Sequence, residues 1–515
     1  MSDDAQPVLT PLPDRIGATA RARPDQVALI QGERRQDYAT LNATMDRVAA
    51  KLQAAGVQAQ ACVAICAKSS IAYVDVFCGA LRAGVVVAPL APSSTADSLA
   101  GMVADCAAQV LFIDAEVGAQ LAPVRDRIAA HWVSLDDSDL GEPLSAWLAP
   151  EGAKPQPVKI EPDWAFNIIY SSGTTGTPKG IVQPHVMRTP LAPQGSAFGY
   201  GPDAVAIIST GLYSNTTLVS LFPAIGDGGT VVLMPKFDAR EFLELAQQHR
   251  ATHAMLVPVQ YQRIMAVPDF DRYDLSSFVM KYCTSSPFAA ALKADVVRRW
   301  PGGLTEYYGM TEGGGGTVLF AHEHPDKLHT VGKPWPHIDV RLIDDAGEEV
   351  APGEVGEVVG ASNALMLGYH NQPEKTSEAT WWKDGRRFIR NGDLGRLDED
   401  GFLILIGRKK DMIISGGFNV YPSDLEARLR EHPGVRDAAV VGAPSEQWGE
   451  TPVAFVVLRD GEAIAPDALR AWANEGLGKT QRISDVVLID ELPHSHIGKV
   501  LKRELRDSYK PRVGA

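Results

Sequence analysis

Short runs that are apolar at every position recur along most of this chain, each followed by a stretch with helical spacing. VALI (27–30), CVAICA (62–67), VVVAPL (85–90) and QVLFI (109–113) are the first of them. Helical spacing intervenes at 41–55, where Met45, Val48, Ala49 and Leu52 share a face, and at 71–82 and 95–107. A Pro-rich connector without a clear period follows at 142–162. The alternation then resumes with AFNIIY (165–170), AVAIIS (204–209), TVVLM (230–234), HAMLV (253–257) and VMKYC (279–283), with helical stretches at 239–249 and 288–300. A strand with no polar side is buried on both faces, which happens where helices cover a parallel sheet. The chain therefore reads as α/β. Two βα-layered sheets are expected in chain order, one from the runs before the connector and one from those after it.

A chain of 515 residues exceeds one compact core, so at least two domains are expected. From 337 the pattern changes. IDVRLID (338–344), the turn PGEVG (352–356), EVVG (357–360) and a strand at 402–406 suggest a small β subdomain. Beyond the polar break GRKKD (407–411) come a helix at 422–432, strands at 436–441, 454–458 and 486–490, and helices at 466–475 and 500–509. Ser423 and Glu426 have the spacing of a capping box. The expected division is a large N-terminal domain, 1–409, and a small mobile α+β domain, 410–515.

The net charge of −14 and pI of about 5.4 oppose a nucleic-acid surface. Five cysteines, an odd number without metal-ligand spacing, read as buried free thiols. The acidic start MSDDAQPVLT has no signal-peptide character, no apolar run is long enough for a bilayer span, and the RVGA end is no peroxisomal address. The expectation is a cytoplasmic protein with no membrane span and no nucleic-acid partner. Homodimer formation stays open.

The chemistry begins at YSSGTTGTPKG (170–180), directly after a buried strand. Gly173, Gly176 and Gly180 allow close backbone approach to a ligand. Ser171, Ser172, Thr174, Thr175 and Thr177 add hydroxyls, and Lys179 adds a mobile cation. Such a loop suits a polyphosphate. It is not the common nucleotide loop, since Gly180-Ile181 follows the lysine where Ser or Thr would be required. Downstream, TEYYGMTE (305–312) ends a strand with Glu312, a carboxylate that tolerates phosphate only across a hard cation and is thus a candidate Mg²⁺ ligand. In FIRNGDLG (388–395), Asp393 is placed to accept from ribose hydroxyls. GRKKDMIISGG (407–417) offers Arg408 and the backbone of Gly416 and Gly417. Near the end, Lys499 follows Gly498 in a loop leading into a basic helix.

In this order the motifs resemble the adenylate-forming superfamily, over almost the whole chain from about 27 to about 505. The most similar members are stand-alone acyl- and aryl-CoA ligases such as 4-coumarate- and chlorobenzoate-CoA ligases. The resemblance implies ATP, Mg²⁺ and coenzyme A as cofactors and a small carboxylic acid as substrate. By analogy, Thr174, Thr175 and Lys179 hold the β- and γ-phosphates, and Ser171 and Ser286 belong to the nucleotide site. Thr311 contacts the α-phosphate, Glu312 holds Mg²⁺, Tyr308 flanks the adenine, and Asp393 and Arg408 take the ribose. Lys499 bridges carboxylate and α-phosphate. Lys410 matches the hinge position, and Gly416 and Gly417 the CoA channel. Trp448 and Gly449 match a WG element without an assigned role. The acyl pocket is expected from Tyr213, Ser214, Asn215, Tyr261, Gly309 and Gly315, a set without a fixed charge that favours an aromatic or aliphatic acid over an amino acid.

Departures from the family pattern are local. Ser214 stands where a gating His is frequent, Asn391 where Thr precedes Gly-Asp, and Pro493-His494-Ser495 where Pro-Arg-Thr is usual. The run from Gly313 to Gly316 reads either as room for a bulky acid or as a mobile loop. The expected reaction is a two-step carboxylate–CoA ligation. Alternatives are transfer of the acyl group to an amine or a carrier protein, luciferase-like oxygenation, and a nucleotide-binding regulator without turnover, against which Glu312, Asp393, Lys410 and Lys499 together argue.

Overall fold

A computed structural model describes residues 9–171 (at 171 the backbone only), 179–188, 199–415, 418–445, 448–478, 481–494 and 500–510. The chain divides into two compact units. One comprises Met1–His329, Trp335–Asp339 and Gly360–Ile389, the other Thr330–Pro334, Val340–Val359 and Arg390–Ala515.

The larger unit is built on two sheets. In the first, the strands run in the order Thr317–Phe320, Gly303–Tyr308, Met280–Cys283, His253–Leu256, Val205–Ile208, Thr230–Leu233, Val27–Gln31, Arg34–Asp37. All are parallel except the two end strands. The second runs Gly368–Tyr369, Lys179–Pro184, Ala165–Ser171, Val86–Pro89, Cys62–Cys66, Val110–Ile113, His131–Ser134, Glu142–Pro143. The α/β class holds, but the sheets do not follow chain order. Val27–Gln31 joins the strands from the later half, pairing Leu29 with Val231, whereas Ala165–Ser171 lies beside Val86–Pro89. A strand apolar on both faces carries no record of which neighbour it will pair with, so the exchange is invisible in the run itself.

Helices fill the space between the sheets. Phe77, from helix Ile71–Arg82, and Phe222, from helix Asn215–Gly226, meet Phe166 of the second sheet with ring centroids 5.1–6.1 Å apart. Leu29, Val231, Val63 and Val87 enter the same core. Helix Tyr38–Ala54 lies so close to Ile71–Arg82 that a Cβ on Gly79 would stand 2.5 Å from Cβ of Val48. Asp37, Ser70, Thr95, Asp114 and Asp238 each accept from a backbone N–H at the start of a helix. The Asp37 cap starts its helix three residues before the apolar period becomes visible. Helices Leu12–Ala22, Asn215–Gly226 and Pro258–Met265 have no counterpart in the sequence expectations.

In the smaller unit, Leu403–Arg408 pairs antiparallel with residues 393–397. A second sheet there runs Phe418–Val420, Ile413–Ser415, Gly449–Leu458, Val435–Ser445, with Asp485–Leu488 parallel to Gly449–Leu458. Alternate residues of Val435–Ser445 enter two apolar clusters, so both faces are covered. The capping box expected of Ser423 and Glu426 does not form. Helix Pro422–Arg430 starts at its proline. The Ser423 hydroxyl donates to the Ile406 carbonyl, and Glu426 Oε1 accepts from Val440 N at 2.8 Å and pairs with Lys502. Both side chains serve contacts distant in sequence.

Cys62, Cys66, Cys78, Cys106 and Cys283 are buried free thiols. Among the described residues no helix is long and apolar enough to cross a membrane.

Candidate active site

Parallel strands open their loops on one edge, and ligand sites in α/β sheets gather there. Val205–Ile208, His253–Leu256, Met280–Cys283 and Gly303–Tyr308 are parallel neighbours. The segments following them hold Tyr213 to Asn215, Ser286, and Gly309 to Glu312. These candidates, far apart in sequence, therefore share an edge.

The hairpin that carries the candidate phosphate loop belongs to the other sheet. Ser171 faces Lys179 where Ala165–Ser171 and Lys179–Pro184 run antiparallel, and the loop between them lies outside the described residues. The base of the hairpin is tightly held. Tyr170 Oη donates to Asp105 at 2.6 Å, and the Gly180 carbonyl accepts from His370 N at 2.7 Å. A Cβ on Gly180 would meet Ile168 Cγ2 at 2.9 Å, Tyr170 Cε1 at 3.1 Å and His370 Cβ at 3.2 Å. Close packing thus accounts for this glycine.

Lys179 is half-buried, with its ammonium 4.9 Å from the ring centroid of Tyr369. The Tyr369 hydroxyl donates to Glu312 Oε1 at 2.8 Å. One aromatic side chain therefore links the cation of the phosphate loop to the carboxylate of the TEYYGMTE segment. Burial, reinforced by the Glu312 charge, pushes the Tyr369 phenol far above its ordinary pKa, so it remains a donor. Glu312 is itself buried, and its carbonyl accepts from Met366 N at 2.9 Å. Among the described residues no group of three or more His, Cys, Asp or Glu side chains is arranged to hold a metal ion. A cation at Glu312 would have to draw its remaining oxygens from phosphate and water, as Mg²⁺ does.

Thr311 is fixed through its carbonyl, which accepts from Gln183 Nε2 at 2.6 Å. Gln183 and Arg188 also donate to Asn215 Oδ1. Tyr308 ends its strand opposite Thr317, and Ser286 lies beside Ser285, which has φ +86° and a hydroxyl bonded to Thr216. Tyr213 is half-buried. Ser214 precedes helix Asn215–Gly226 without capping it through its side chain.

One acyl-pocket expectation needs correction. Tyr261 is fully enclosed, with its ring stacked on Phe288 at 5.1 Å and its hydroxyl given to the Tyr282 carbonyl at 2.8 Å. It belongs to the packing and lines no open wall. The glycine run is packed closely against its neighbours. A Cβ on Gly313 (φ +87°) would stand 2.5 Å from the Ala364 carbonyl oxygen, one on Gly316 would stand 2.4 Å from Ile338, and Gly360 approaches Gly315 so closely that a Cβ on Gly360 would lie 1.8 Å from the Gly315 nitrogen. Backbone meets backbone there. Gly309 adjoins the same place, with the Gly315 carbonyl oxygen 3.3 Å from where its Cβ would stand.

In the smaller unit Asp393 and Arg408 are cross-strand partners, with Nε to Oδ1 at 2.8 Å. Lys410 lies exposed in the single turn Lys409–Asp411, and partial desolvation draws its ammonium below the ordinary lysine pKa. Next to it, Lys409 reaches Asp345 at 2.7 Å and Glu357 at 3.0 Å, and Arg390 shares Glu357 at 2.6 Å. The Ser171 side chain and Thr174, Thr175, Gly416, Gly417 and Lys499 lie outside the described residues. The sequence reading missed Tyr369, Gln183 and Arg188. Tyr369 follows an apolar stretch with no chemical motif, and the other two flank a motif without belonging to it.

Residues 17–370 match the model of the AMP-binding enzyme family, and residues 424–499 match its C-terminal domain. The chain belongs to the AMP-binding enzymes. A feruloyl-CoA synthase of an Amycolatopsis species is 34% identical over 505 residues, covering 95% of this chain and 96% of the relative. The fatty acid–[acyl-carrier-protein] ligase ScoC of Streptomyces coeruleorubidus is 32% identical over 513 residues, covering 98% and 97%. Among solved structures, ATP-bound MatB from Rhodopseudomonas palustris superposes with a TM-score of 0.85 at 28% identity, covering 96% of this chain and 99% of that one. The amide bond synthetase McbA from Marinactinospora thermotolerans gives 0.84 at 28%, with the same coverage. This AMP-binding enzyme thus shares its α/β architecture, over nearly its full length, with an ATP-bound protein and an amide bond synthetase.

Proposed function

We propose that this enzyme is an AMP-forming acid–thiol ligase acting on a small aromatic or aliphatic carboxylic acid. In the first step a carboxylate oxygen attacks the α-phosphorus of ATP. The bond from that phosphorus to the bridging oxygen breaks, and pyrophosphate leaves. In the second step the sulfur of coenzyme A attacks the acyl carbon, the bond to AMP breaks, and the thiol proton passes to solvent. The observation that carries this reading is the Lys179–Tyr369–Glu312 cluster, in which one aromatic side chain contacts a cation with its ring and an anion with its hydroxyl at the foot of the proposed phosphate-loop hairpin.

The protein's part in the first step is positioning and charge neutralisation. Lys179, with Thr174 and Thr175, is assigned to the β- and γ-phosphates, with Ser171 and Ser286 at the same nucleotide. Thr311, its main chain held by Gln183, is assigned to the α-phosphate, and Tyr308 to the adenine. The Asp393–Arg408 pair suits a ribose, since the guanidinium holds the carboxylate in one orientation. Mg²⁺ would be held by Glu312 and would neutralise charge on the phosphates. Lys499 is assigned to the reacting carboxylate and α-phosphate. Residues 1–409 and 410–515 are taken as the two moving parts, with Lys410 as pivot and Gly416 and Gly417 beside the entering thiol. Anchoring of Lys409 by Asp345 and Glu357 supports a pivot at the next residue, because one side of the turn is tethered. Tyr213, Ser214, Asn215, Gly309 and Gly315 remain candidates for the acyl site.

A panel of carboxylic acids assayed for pyrophosphate and AMP release, with and without coenzyme A, tests the reading. AMP turnover that rises with coenzyme A is expected. Pyrophosphate release with no acceleration by coenzyme A would point instead to a carrier-protein or amine acceptor, the reading favoured by the similarity to ScoC and McbA.

A further inference from the structure

The one-turn helix His185–Arg188 ends in a guanidinium that is only 7% exposed. Nε of Arg188 donates to Asn167 Oδ1 at 3.2 Å, and Nη2 donates to Gln183 Oε1 and Asn215 Oδ1. The amides orient one another. Asn167 Nδ2 donates to Gln183 Oε1 at 2.9 Å, and Gln183 Nε2 donates to Asn215 Oδ1 at 3.1 Å and to the Thr311 carbonyl at 2.6 Å. All of these partners are neutral. Among the described residues no carboxylate stands within ion-pair distance of Arg188, and none accepts from its Nη1.

Buried charges are ordinarily paired with an opposite charge, because desolvation is not repaid by neutral acceptors alone. Burial pulls the Arg188 pKa down to about 9, which still leaves a cation at neutral pH. The group is thus a planar cation pinned along one edge by three amide oxygens, with no acceptor at Nη1 among the described residues. Its partners also locate it. Asn215 opens the helix that follows Tyr213 and Ser214 on the proposed acyl side, and Gln183 ties the network to the main chain of Thr311. The charge therefore sits between the acyl wall and the segment assigned to the α-phosphate.

We propose that Arg188 determines substrate specificity, and that the preferred acid carries, beyond its reacting carboxylate, a second oxygen acceptor (a carboxylate or a carbonyl) that accepts from Nη1. This rests on the acid-activating reading above. A plain hydrocarbon tail would cover the guanidinium and supply no acceptor. An oxygen-bearing tail completes its hydrogen bonds, and an anionic one also offsets its charge. Bidentate geometry explains an arginine here in preference to a lysine.

The test uses pairs of acids of equal length, with and without a terminal carboxylate or keto group. Pyrophosphate release is followed with ATP and without coenzyme A. The quantity read is the ratio of kcat/KM within each pair. The intact enzyme is expected to favour the acceptor-bearing acid. Arg188→Met should lower that ratio about 10- to 100-fold, the value of one hydrogen bond to a charged group, with the change mainly in KM. Arg188→Lys should fall between the two. Asn215→Asp, which neutralises the guanidinium in place, should lower the ratio for terminal carboxylates, and it keeps the test available should the methionine variant not fold. An unchanged ratio in folded variants, or a preference of the intact enzyme for plain acids, overturns the proposal. Pyrophosphate release from no acid at all overturns it too, but by removing the acid-activating activity itself, a result distinct from active enzyme without discrimination.

Discussion

Tyr369 provides a direct test of the cluster at the phosphate loop, because its ring and its hydroxyl make separate contacts. Tyr369→Phe deletes only the donor to Glu312 Oε1, a 2.8 Å bond to a buried carboxylate, and leaves the ring beneath the Lys179 ammonium. A hydrogen bond to a charged group contributes about 1.5–3 kcal/mol, and a carboxylate left short of donors in a buried place is free to reorient. If that carboxylate binds Mg²⁺ in the adenylation step, the cost of restoring its orientation falls on metal binding. The Mg²⁺ concentration at half-maximal pyrophosphate release should then rise about 10-fold or more, since 1.4 kcal/mol is one decade. Tyr369→Leu removes the ring as well. A half-buried cation–π contact contributes about 0.5–1 kcal/mol, so a further rise of about two- to fivefold in KM for ATP is expected from that variant alone. The assay is pyrophosphate release titrated separately in Mg²⁺ and in ATP, with thermal unfolding as a folding control. An unchanged Mg²⁺ requirement in a folded Tyr369→Phe protein would refute the assignment of Glu312 to the metal and reduce the Tyr369–Glu312 bond to scaffolding.

Lys499→Ala should abolish pyrophosphate formation while an adenylate made beforehand still reacts with coenzyme A; loss of both half-reactions would remove the role given to Lys499. Lys410→Pro fixes φ at the proposed pivot and should spare adenylation while slowing thioester formation, so equal slowing of both steps counts against a hinge there. Asp75 is buried and accepts from Gln36 Nε2 at 2.9 Å, while Gln36 Oε1 has no hydrogen-bond partner among the described residues. Burial pushes its carboxyl up to about 7 from 3.8. The folded protein therefore holds this proton more tightly than the unfolded chain does. The associated stability is fully present below pH 3.8 and is lost as pH rises through about 7. A shift of about three units corresponds to an upper bound on the order of 4 kcal/mol. Asp75→Asn should remove most of that slope and raise the melting temperature at pH 8 relative to the parent, which a series of thermal melts across pH would reveal.

Much of the local structure was legible from residue type alone. Runs such as CVAIC had to be strands buried on both faces. Gly, Ser, Thr and one Lys after AFNIIY suggested a phosphate loop, because short hydroxyls and a lone cation directly after a buried strand suit a polyphosphate, and most of that loop lies outside the described residues. The cap positions were legible only in part: Asp37 starts its helix through a side-chain acceptor, whereas the Ser423–Glu426 spacing led to the wrong contacts, because both side chains found partners distant in sequence. Tyr261 shows the same limit. An aromatic side chain near a loop reads as a pocket wall until its hydroxyl is found on the Tyr282 carbonyl.

The sequence by itself determined the α/β class, the family, and which titratable groups are available, since burial pattern and motif order are properties of the chain read along its length. Tertiary structure alone decided which sheet Val27–Gln31 and Ala165–Ser171 enter, that Tyr369 joins Lys179 to Glu312, and that the charge of Arg188 is surrounded by amides. Pairing partners and neutralising charges are chosen across distances of tens to hundreds of residues, where the backbone and side-chain groups of many segments compete for the same place. No local pattern records the outcome of that competition.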